Sequence, residues 1–342
     1  MGLNLKDKTI FVFGTGEAAG QFVNLNKEIK VDFYLDNDKT KWGSEFMGSP
    51  VKSPAYLESF SKGEVYIFIS SMYFPEIRKQ LIGMGFQEYI HFQYGLNNLE
   101  YSNRFKNELK DKHKGERVFL IGNGPSLTIG DLDLLKNEFT FAANKIFLSY
   151  ENTEWRPTYY FLLDDLMAKS TIEALYSMEE PIFFSSRIEQ ILDKTQLKSQ
   201  NVHWIEPIES RELEVENQIF SEELSYYYSE GSTVMYLMIQ MAVYMGFEEI
   251  YFLGLDFSYN KSKEDLVYGG FKILEYEGKA EHFHPKYREK GEQFYSPNVQ
   301  KIYAGYSKAL RVLKEKNIKV ANCSRSTELD IFPRIKLEEI IK

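Results

Sequence analysis

The 342-residue chain has a single cysteine, Cys323, which excludes an intrachain disulfide and a multi-cysteine zinc site and leads us to expect a reducing compartment, the cytoplasm. Long apolar runs are also missing. None approaches the roughly 18 to 20 residues of a membrane span, and the opening residues MGLNLKDKT hold no signal-peptide core, so no integral membrane segment is expected. Cations are in deficit, with 41 Lys and Arg against 50 Asp and Glu for a formal charge of −9. That balance excludes a sequence-independent grip on duplex nucleic acid and leaves room only for a local basic phosphate site. Aromatic residues, by contrast, make up 15% of the chain with 24 Tyr, which suits a folded protein rich in strands and ring-lined clefts. The length is sufficient for two domains with cores of their own.

Apolar runs of strand length alternate with segments of helical period. Residues 9–13 (TIFVF) predict a strand that ends in Gly14-Thr15-Gly16, residues 31–35 (VDFYL) a second closed by Asp36-Asn37-Asp38, and residues 65–69 (VYIFI) a third. A helix over 75–86 (PEIRKQLIGMGF) follows, with Pro75 in its first turn and Gly85 at its end, and residues 89–92 return to the sheet. This is the Rossmann-like order, and it closes a domain at residues 1–96. Residues 97–116 are highly charged and read as a linker. From residue 117 strands are expected at 117–121, 139–143, 158–163, 182–185, 202–205, 250–255 and 318–321, with helices over 232–245 and 299–316. The fold class is therefore α/β, with two Rossmann-like domains whose sheets are mainly parallel, the C-terminal one (117–342) larger and doubly wound.

Four features of the second domain can carry chemistry. Gly122-Asn123-Gly124-Pro125-Ser126 follows a strand directly; its glycines permit close backbone approach, Pro125 fixes the turn, and Ser126 is placed to cap the next helix. It lacks the lysine of a P-loop. Gly231-Ser232-Thr233 opens an apolar helix and presents free N–H groups, a pattern that plain N-capping also explains. Asn144, Asp164, Asp165 and Asp256 each end a strand at the edge where open α/β sheets bind ligands. Finally, His282, His284, Lys286 and Arg288 fall in residues 257–297, which lack regular periodicity and read as a lid, where a histidine beside cations suits general-base work. Tyr226-Tyr227-Tyr228 could donate to a leaving phosphate, although such runs also simply pack. The acidic stretch 206–230, with eight Glu and one Arg, reads as a solvated loop.

GNGPSL at 122–127, EGSTVMYLMIQMAVYMGFEEIYFLGLDFSY at 230–259 and HFHPKY at 282–287, with PTYYFLLDD and NCSRSTELDIFPR in order around them, resemble the bacterial 6-hydroxymethylpterin diphosphokinase-like group. That pattern is shared with family forty-two sialyltransferases and the motility accessory factors, and the resemblance covers about residues 115–335. It implies nucleotide contacts at Asn123, Gly124, Ser126, Asn144, Ser232 and Thr233, and the turns and strand ends around them extend the expected nucleotide site to Gly122, Pro125, Asp164, Gly231 and Asp256. It implies a catalytic base at His284 or His282 and tyrosines near 226–228 at the leaving phosphate, and the residues themselves add Lys286 and Tyr228 as expected donors to that phosphate. FGTGEAAG, FYLDNDKTKWG and Pro50-Val51-x-Ser53-Pro54 resemble instead the amino-terminal Rossmann-like domain of bacterial sugar acetyltransferases, implying a ligand site at Gly14, Gly16 and Asp36. Gly14-x-Gly16-x-x-x-Gly20 is spaced one residue wider than a dinucleotide fingerprint and no hydride-transfer partner is evident, so an accessory domain is expected rather than a dehydrogenase.

The leading expectation is a cytoplasmic glycosyltransferase that moves a nonulosonate from a CMP-activated nucleotide-sugar donor to a glycan or protein acceptor, as in bacterial surface polysaccharide biosynthesis. It would need no metal or other cofactor and would use a His base. The alternatives are ATP-dependent diphosphate transfer, with Asp164, Asp165 and Asp256 holding magnesium, and a non-catalytic nucleotide-sugar-binding protein. No nucleic-acid partner is expected, and a homo-oligomer is compatible with the sequence.

Overall fold

The computed structural model describes residues 5–71, 73–88, 90–95, 105, 107–208, 218–224, 227–257, 273–278 and 282–341. Tyr226, part of the expected linker and the lid residues 258–272 and 279–281 lie outside them. The chain divides into two compact units, residues 1–108 with 225–227, and residues 109–224 with 228–342. Both are α/β and Rossmann-like.

The first unit runs β1 (Thr9–Phe13), α1 (Glu17–Leu25), β2 (Phe33–Leu35), β3 (Glu45–Phe46), β4 (Ser49–Lys52), β5 (Val65–Ile69), α2 (Phe74–Gly83) and β6 (Phe92–Tyr94). Its sheet has the order β3-β4-β2-β1-β5-β6, parallel except for the β3–β4 pair. The central strands β1 and β5 are unbroken apolar runs because both their faces are covered, and Phe11, Val12, Ile67 and Phe68 are fully buried. The β3–β4 hairpin was not foreseen. Its turn places Met47 and Gly48 both at positive φ, a two-residue primed turn whose first position usually holds Asn or Asp.

The second unit runs β7 (Arg117–Ile121), α3 (Ile129–Leu134), β8 (Phe139–Ala143), β9 (Tyr159–Leu162), α4 (Asp165–Ser170), α5 (Ile172–Ser177), β10 (Ile182–Ser185), β11 (Val202–Ile205), β12 (Pro207–Ile208), β13 (Tyr228–Ser229), α6 (Val234–Tyr244), β14 (Glu249–Leu253), β15 (Ile273–Glu275), β16 (Gln293–Tyr295), α7 (Val299–Glu315), β17 (Lys319–Asn322) and α8 (Leu337–Ile340). Seven parallel strands form its sheet in the order β11-β10-β9-β8-β7-β14-β17. Helix α6 is buried almost all round, so it is apolar on every face. Its one buried amide, Gln240, accepts from the Ser221 and Ser229 N–H groups and donates to the Ser229 carbonyl, which ties β13 to the helix. The stretch read as a solvated acidic loop is instead partly engaged: Glu222 pairs with Lys316, Glu223 with Lys110 and Glu230 with Arg187. The region read as an irregular lid contains the antiparallel β15–β16 pair.

The turn after β7 lies directly against the turn after β14. Gly122 N–H donates to the Leu253 carbonyl at 2.7 Å and Gly124 N–H to the Gly254 carbonyl at 3.0 Å. A Cβ on Gly122 would lie 2.4 Å from the Gly254 carbonyl oxygen. Gly122→Ala is therefore expected to lower stability by about 1 to 3 kcal/mol through overpacking, whereas Gly63→Ala, with no atom within 4 Å of the added Cβ, should be near neutral. Thermal unfolding of the two variants checks this, and equal melting points would show that the corner can open freely.

Candidate active site

The winding of the second sheet reverses at β7: the chain proceeds outward through β8 to β11 and then returns to β14 on the other side. Open α/β sheets bind ligands at such a switch point, at the carboxyl ends of the strands. A cleft of about 170 Å³ lies there. Its wall includes Gly122, Asn123 and Gly124 after β7, Asn144 after β8, Asp256 after β14, Thr233 at the start of α6, and His282. These residues, read separately from the sequence, are brought together.

Asp256 is almost fully buried and holds the glycine turn in place. Its carboxylate accepts from the Ser126 N–H at 2.7 Å and from the Ser126 hydroxyl. Burial raises its pKa and the two Ser126 bonds pull it back. Ser126 thus does not cap the following helix; Thr128 does, its hydroxyl oxygen accepting from the Asp131 N–H. The Asp256 loop is fixed from behind by the NCSRST segment, in which Ser324 Oγ accepts from the Leu255 N–H at 2.9 Å and the Thr327 hydroxyl donates to the Leu255 carbonyl at 2.8 Å.

Asn123 Nδ2 donates to the Ala143 carbonyl at 3.0 Å, which leaves its buried Oδ1 without a protein partner. Ser232 Oγ is likewise buried and unpartnered. Gly231 and Ser232 both adopt positive φ, and a Cβ on Gly231 would collide with the Tyr236 ring, so only glycine fits at the entry to α6. Thr233 is the N-cap, its hydroxyl oxygen accepting from the Met235 N–H.

The segment 282–292 closes the cleft. Phe283 N–H donates to the Asn123 carbonyl at 3.0 Å, and the His282 ring stacks on Tyr287 with centroids 3.8 Å apart and planes inclined by 6°. Burial, with Arg288 and Lys145 nearby, depresses the His282 pKa to about 4, so the ring is neutral at pH 7. Burial pushes the Tyr287 phenol up to about 12, and its hydroxyl meets the Asn144 side chain. Lys145 Nζ binds both oxygens of Glu292, at 2.8 and 3.0 Å, and so fastens the segment to the end of β8.

Other expected residues are placed elsewhere. His284 Nδ1 accepts from the Lys286 N–H at 3.2 Å, and neither residue lines the cleft. Tyr228 is fully buried in β13, away from the cleft wall. Tyr227 belongs to the first unit, where its hydroxyl donates to Glu88 at 2.6 Å. The phenol in the cleft is Tyr287 instead. Pro125 is exposed at the tip of its turn. Asp164 caps α4 through the Met167 N–H, and Asp165 accepts from the Tyr295 hydroxyl at 2.9 Å and pairs with Lys169 at 3.1 Å. The three aspartates expected to hold magnesium are therefore engaged separately, and among the described residues no group of three or more metal-ligating side chains is gathered. Tyr287, Lys145 and Glu292 were missed as site residues. Tyr287 was visible as part of HFHPKY, whereas nothing in the sequence links Lys145 to Glu292.

Residues 93–262 match the family model for 6-hydroxymethylpterin diphosphokinase MptE-like proteins. Residues 6–90, ahead of them, match the model of a C2185-like N-terminal domain. Among solved structures, the chain is similar to the MAf glycosyltransferase from Magnetospirillum magneticum AMB-1, at 14% identity and a TM-score of 0.40 over 96% of this chain. It spans 57% of the length of that protein. A mutant of the alpha-2,3/8-sialyltransferase CstII is similar at 18% identity and a TM-score of 0.34, over 64% of this chain and 86% of that one. No curated protein matches the chain.

In the first unit, Gly14, Gly16 and Asp36 line a separate cleft of about 880 Å³.

The depressed His282 pKa has a consequence for stability. Between pH 6.5, its ordinary value, and about 4, the unfolded chain binds a proton that the folded one does not, so acid weakens the fold across that window. His113, buried against Phe247 and also depressed to about 4, acts in the same direction. Urea unfolding at the two ends of the window should show a smaller loss of stability for His282→Gln than for the parent chain. An undiminished loss would mean that the His282 ring protonates freely in the fold.

Proposed function

We propose that the second unit is a glycosyltransferase that takes a sugar of the nonulosonate class from a CMP-activated donor and passes it to a hydroxyl group of a glycan or protein acceptor. The observation that carries this reading is a buried, unpartnered polar atom, Asn123 Oδ1, on a residue of the switch-point cleft wall that a neutral histidine, His282, also lines. Asn123 Oδ1 can only accept, so it calls for a donor such as the exocyclic amine of a nucleobase or a sugar hydroxyl. The amino end of α6 offers N–H groups and the positive end of the helix dipole to the phosphate.

In this reading the acceptor oxygen attacks the anomeric carbon while the bond from that carbon to the phosphate oxygen breaks, its electron pair leaving with CMP. The N–H groups at α6 and the Tyr287 hydroxyl stabilise the charge that grows on the phosphate. His282, unprotonated at neutral pH, takes the proton released by the acceptor hydroxyl. Its low basicity limits how early it can take that proton, so transfer falls late, when the acceptor oxygen is already bonding to carbon.

ATP-dependent diphosphate transfer is the second reading, favoured by the description of the matching family model. The residues present fit it less well, because Asp256, Asp164 and Asp165 are held by different partners, Ser126, the Met167 N–H and Tyr295, and among the described residues they are not gathered into one ligand set.

Thermal shift with CMP and with ATP, each with magnesium or EDTA, separates the two. CMP at a hundred times its dissociation constant should stabilise the protein by about 2.7 kcal/mol, and this should survive EDTA; stabilisation by ATP with magnesium alone would sink the proposal. In transfer assays with CMP-activated nonulosonates, His282→Ala should lower the rate about a hundredfold to ten-thousandfold, while His284→Ala should leave most of it. A His282→Ala variant with unchanged binding and no transfer in the parent either would point to a non-catalytic nucleotide-sugar-binding protein.

A further inference from the structure

Tyr160, in β9, is fully buried and has no part in the chemistry considered above. It lies across from Ala142 of β8, and its phenol reaches beyond the end of that strand to donate to the Asn144 carbonyl at 2.6 Å. Burial raises the Tyr160 pKa well above the ordinary phenol value, so the hydroxyl keeps its proton and remains a donor. The residue it holds has an unusual backbone. Asn144 follows β8 at φ +56°, in the left-handed region, and Lys145 after it, at φ −82° and ψ 27°, is not helical although it stands in a 3-10 turn. Holding the Asn144 carbonyl fixes the plane of the peptide that joins these two residues, and with it the direction of the Lys145 N–H.

That N–H meets Tyr287. The C=O and N–H of a trans peptide point in opposite directions, so the 144–145 peptide accepts from Tyr160 on one side and donates to the Tyr287 hydroxyl oxygen on the other. Burial raises the Tyr287 pKa, and Arg288, the Asn144 side chain and the Lys145 N–H pull it back, the last two as donors to the phenol oxygen. Stacking on His282 fixes the Tyr287 ring but not the rotation of its O–H. With its oxygen accepting from two donors, the hydroxyl has only its hydrogen left to give, and Tyr287 lies on the cleft wall. Lys145 Nζ holds the same segment separately, through Glu292, so the direction of the phenol can change without the segment being released.

We propose that Tyr160 is a positioning residue: through the 144–145 peptide and the Asn144 side chain it sets the direction in which the Tyr287 hydroxyl donates, and Asn144 acts on the leaving phosphate through Tyr287 rather than by holding the nucleotide. This rests on the glycosyltransferase reading above, in which Tyr287 donates to the phosphate as its bond to the anomeric carbon breaks. The rival account is that the Tyr160 hydroxyl does no more than satisfy a buried carbonyl.

A double-mutant cycle on the full chain separates the two, read as CMP release from a CMP-activated nonulosonate. Tyr160→Phe, which keeps the ring, should leave CMP affinity and the KM for the donor unchanged and lower kcat about three- to tenfold, as loss of one hydrogen bond would. Tyr287→Phe should lower kcat about a hundredfold, and in that background Tyr160→Phe should have no further effect. Asn144→Gly, where glycine takes the positive φ without strain, should repeat the Tyr160→Phe pattern. An equal fractional loss from Tyr160→Phe in both backgrounds, or Asn144→Gly weakening CMP binding with kcat intact, would overturn the proposal. Thermal unfolding of the same variants gives a reading that needs no turnover: the melting-point losses of Tyr160→Phe and Tyr287→Phe should sum to more than the loss in the double variant. A parent chain that releases no CMP would defeat the glycosyltransferase reading, whereas strictly additive melting-point losses would defeat the link from Tyr160 to Tyr287.

Discussion

The second unit depends on the contact between the turn after β7 and the turn after β14. Two N–H···O=C bonds join them, Gly122 to Leu253 and Gly124 to Gly254, at a separation that no side chain at Gly122 would allow. The Asp256 carboxylate then holds Ser126 from the β14 side. The cleft exists because this corner is both tight and fixed, and Asn123, sitting between its two glycines, is turned so that its amide oxygen has no protein partner. The desolvation cost of that oxygen is met on folding.

Much of the sheet framework could be read from the sequence, because strands buried on both faces appear as unbroken apolar runs. The strands at 117–121, 139–143, 182–185 and 202–205 were read with the limits that the structure has, and α6 and α7 were recognised from their lengths and apolar positions. Short elements were lost for a physical reason. The β3–β4 hairpin, the β12–β13 pair and the β15–β16 pair have two to four residues in each strand, too few for a period, and the turn at Met47-Gly48 carries no Asn or Asp. Site residues that end strands, such as Asn123, Asn144 and Asp256, could be found because a parallel sheet delivers every strand end to one edge. Which of His282 and His284 enters the cleft could not, since adjacent positions in an irregular segment differ only in where the Phe283 N–H and the Tyr287 ring pin it. Ser126 was given the wrong task because a serine before a helix suggests a cap, and the competing acceptor, Asp256, is remote in sequence.

The two clefts share a topology and differ in electrostatics. Each lies where its sheet changes direction, and each is bounded by a glycine turn and the amino end of a helix. In the second unit the entry to α6 carries Ser232 and Thr233, both uncharged. In the first unit the amino end of α1 carries Glu17, and the strand-end Asp36 is tied down by Thr15 and Lys41. The difference in charge comes from a few side chains on otherwise similar backbones.

The position of β7 in its sheet also bears on how the chain is made. β7 pairs on one side with β8, the next strand to leave the ribosome, and on the other with β14, in the register Arg117 to Glu249. Until β14 has been synthesised, the main sheet of the nascent domain has five strands at most, and one edge of it is the apolar strand RVFLI with its backbone groups on that side unpaired. Such an edge is a template for pairing with another chain, and parallel pairings this distant in sequence form slowly. The half-made domain is thus most prone to aggregation over the interval in which β9 to α6 are added, and a chain ending within that interval would have a bare strand where the finished protein has its cleft.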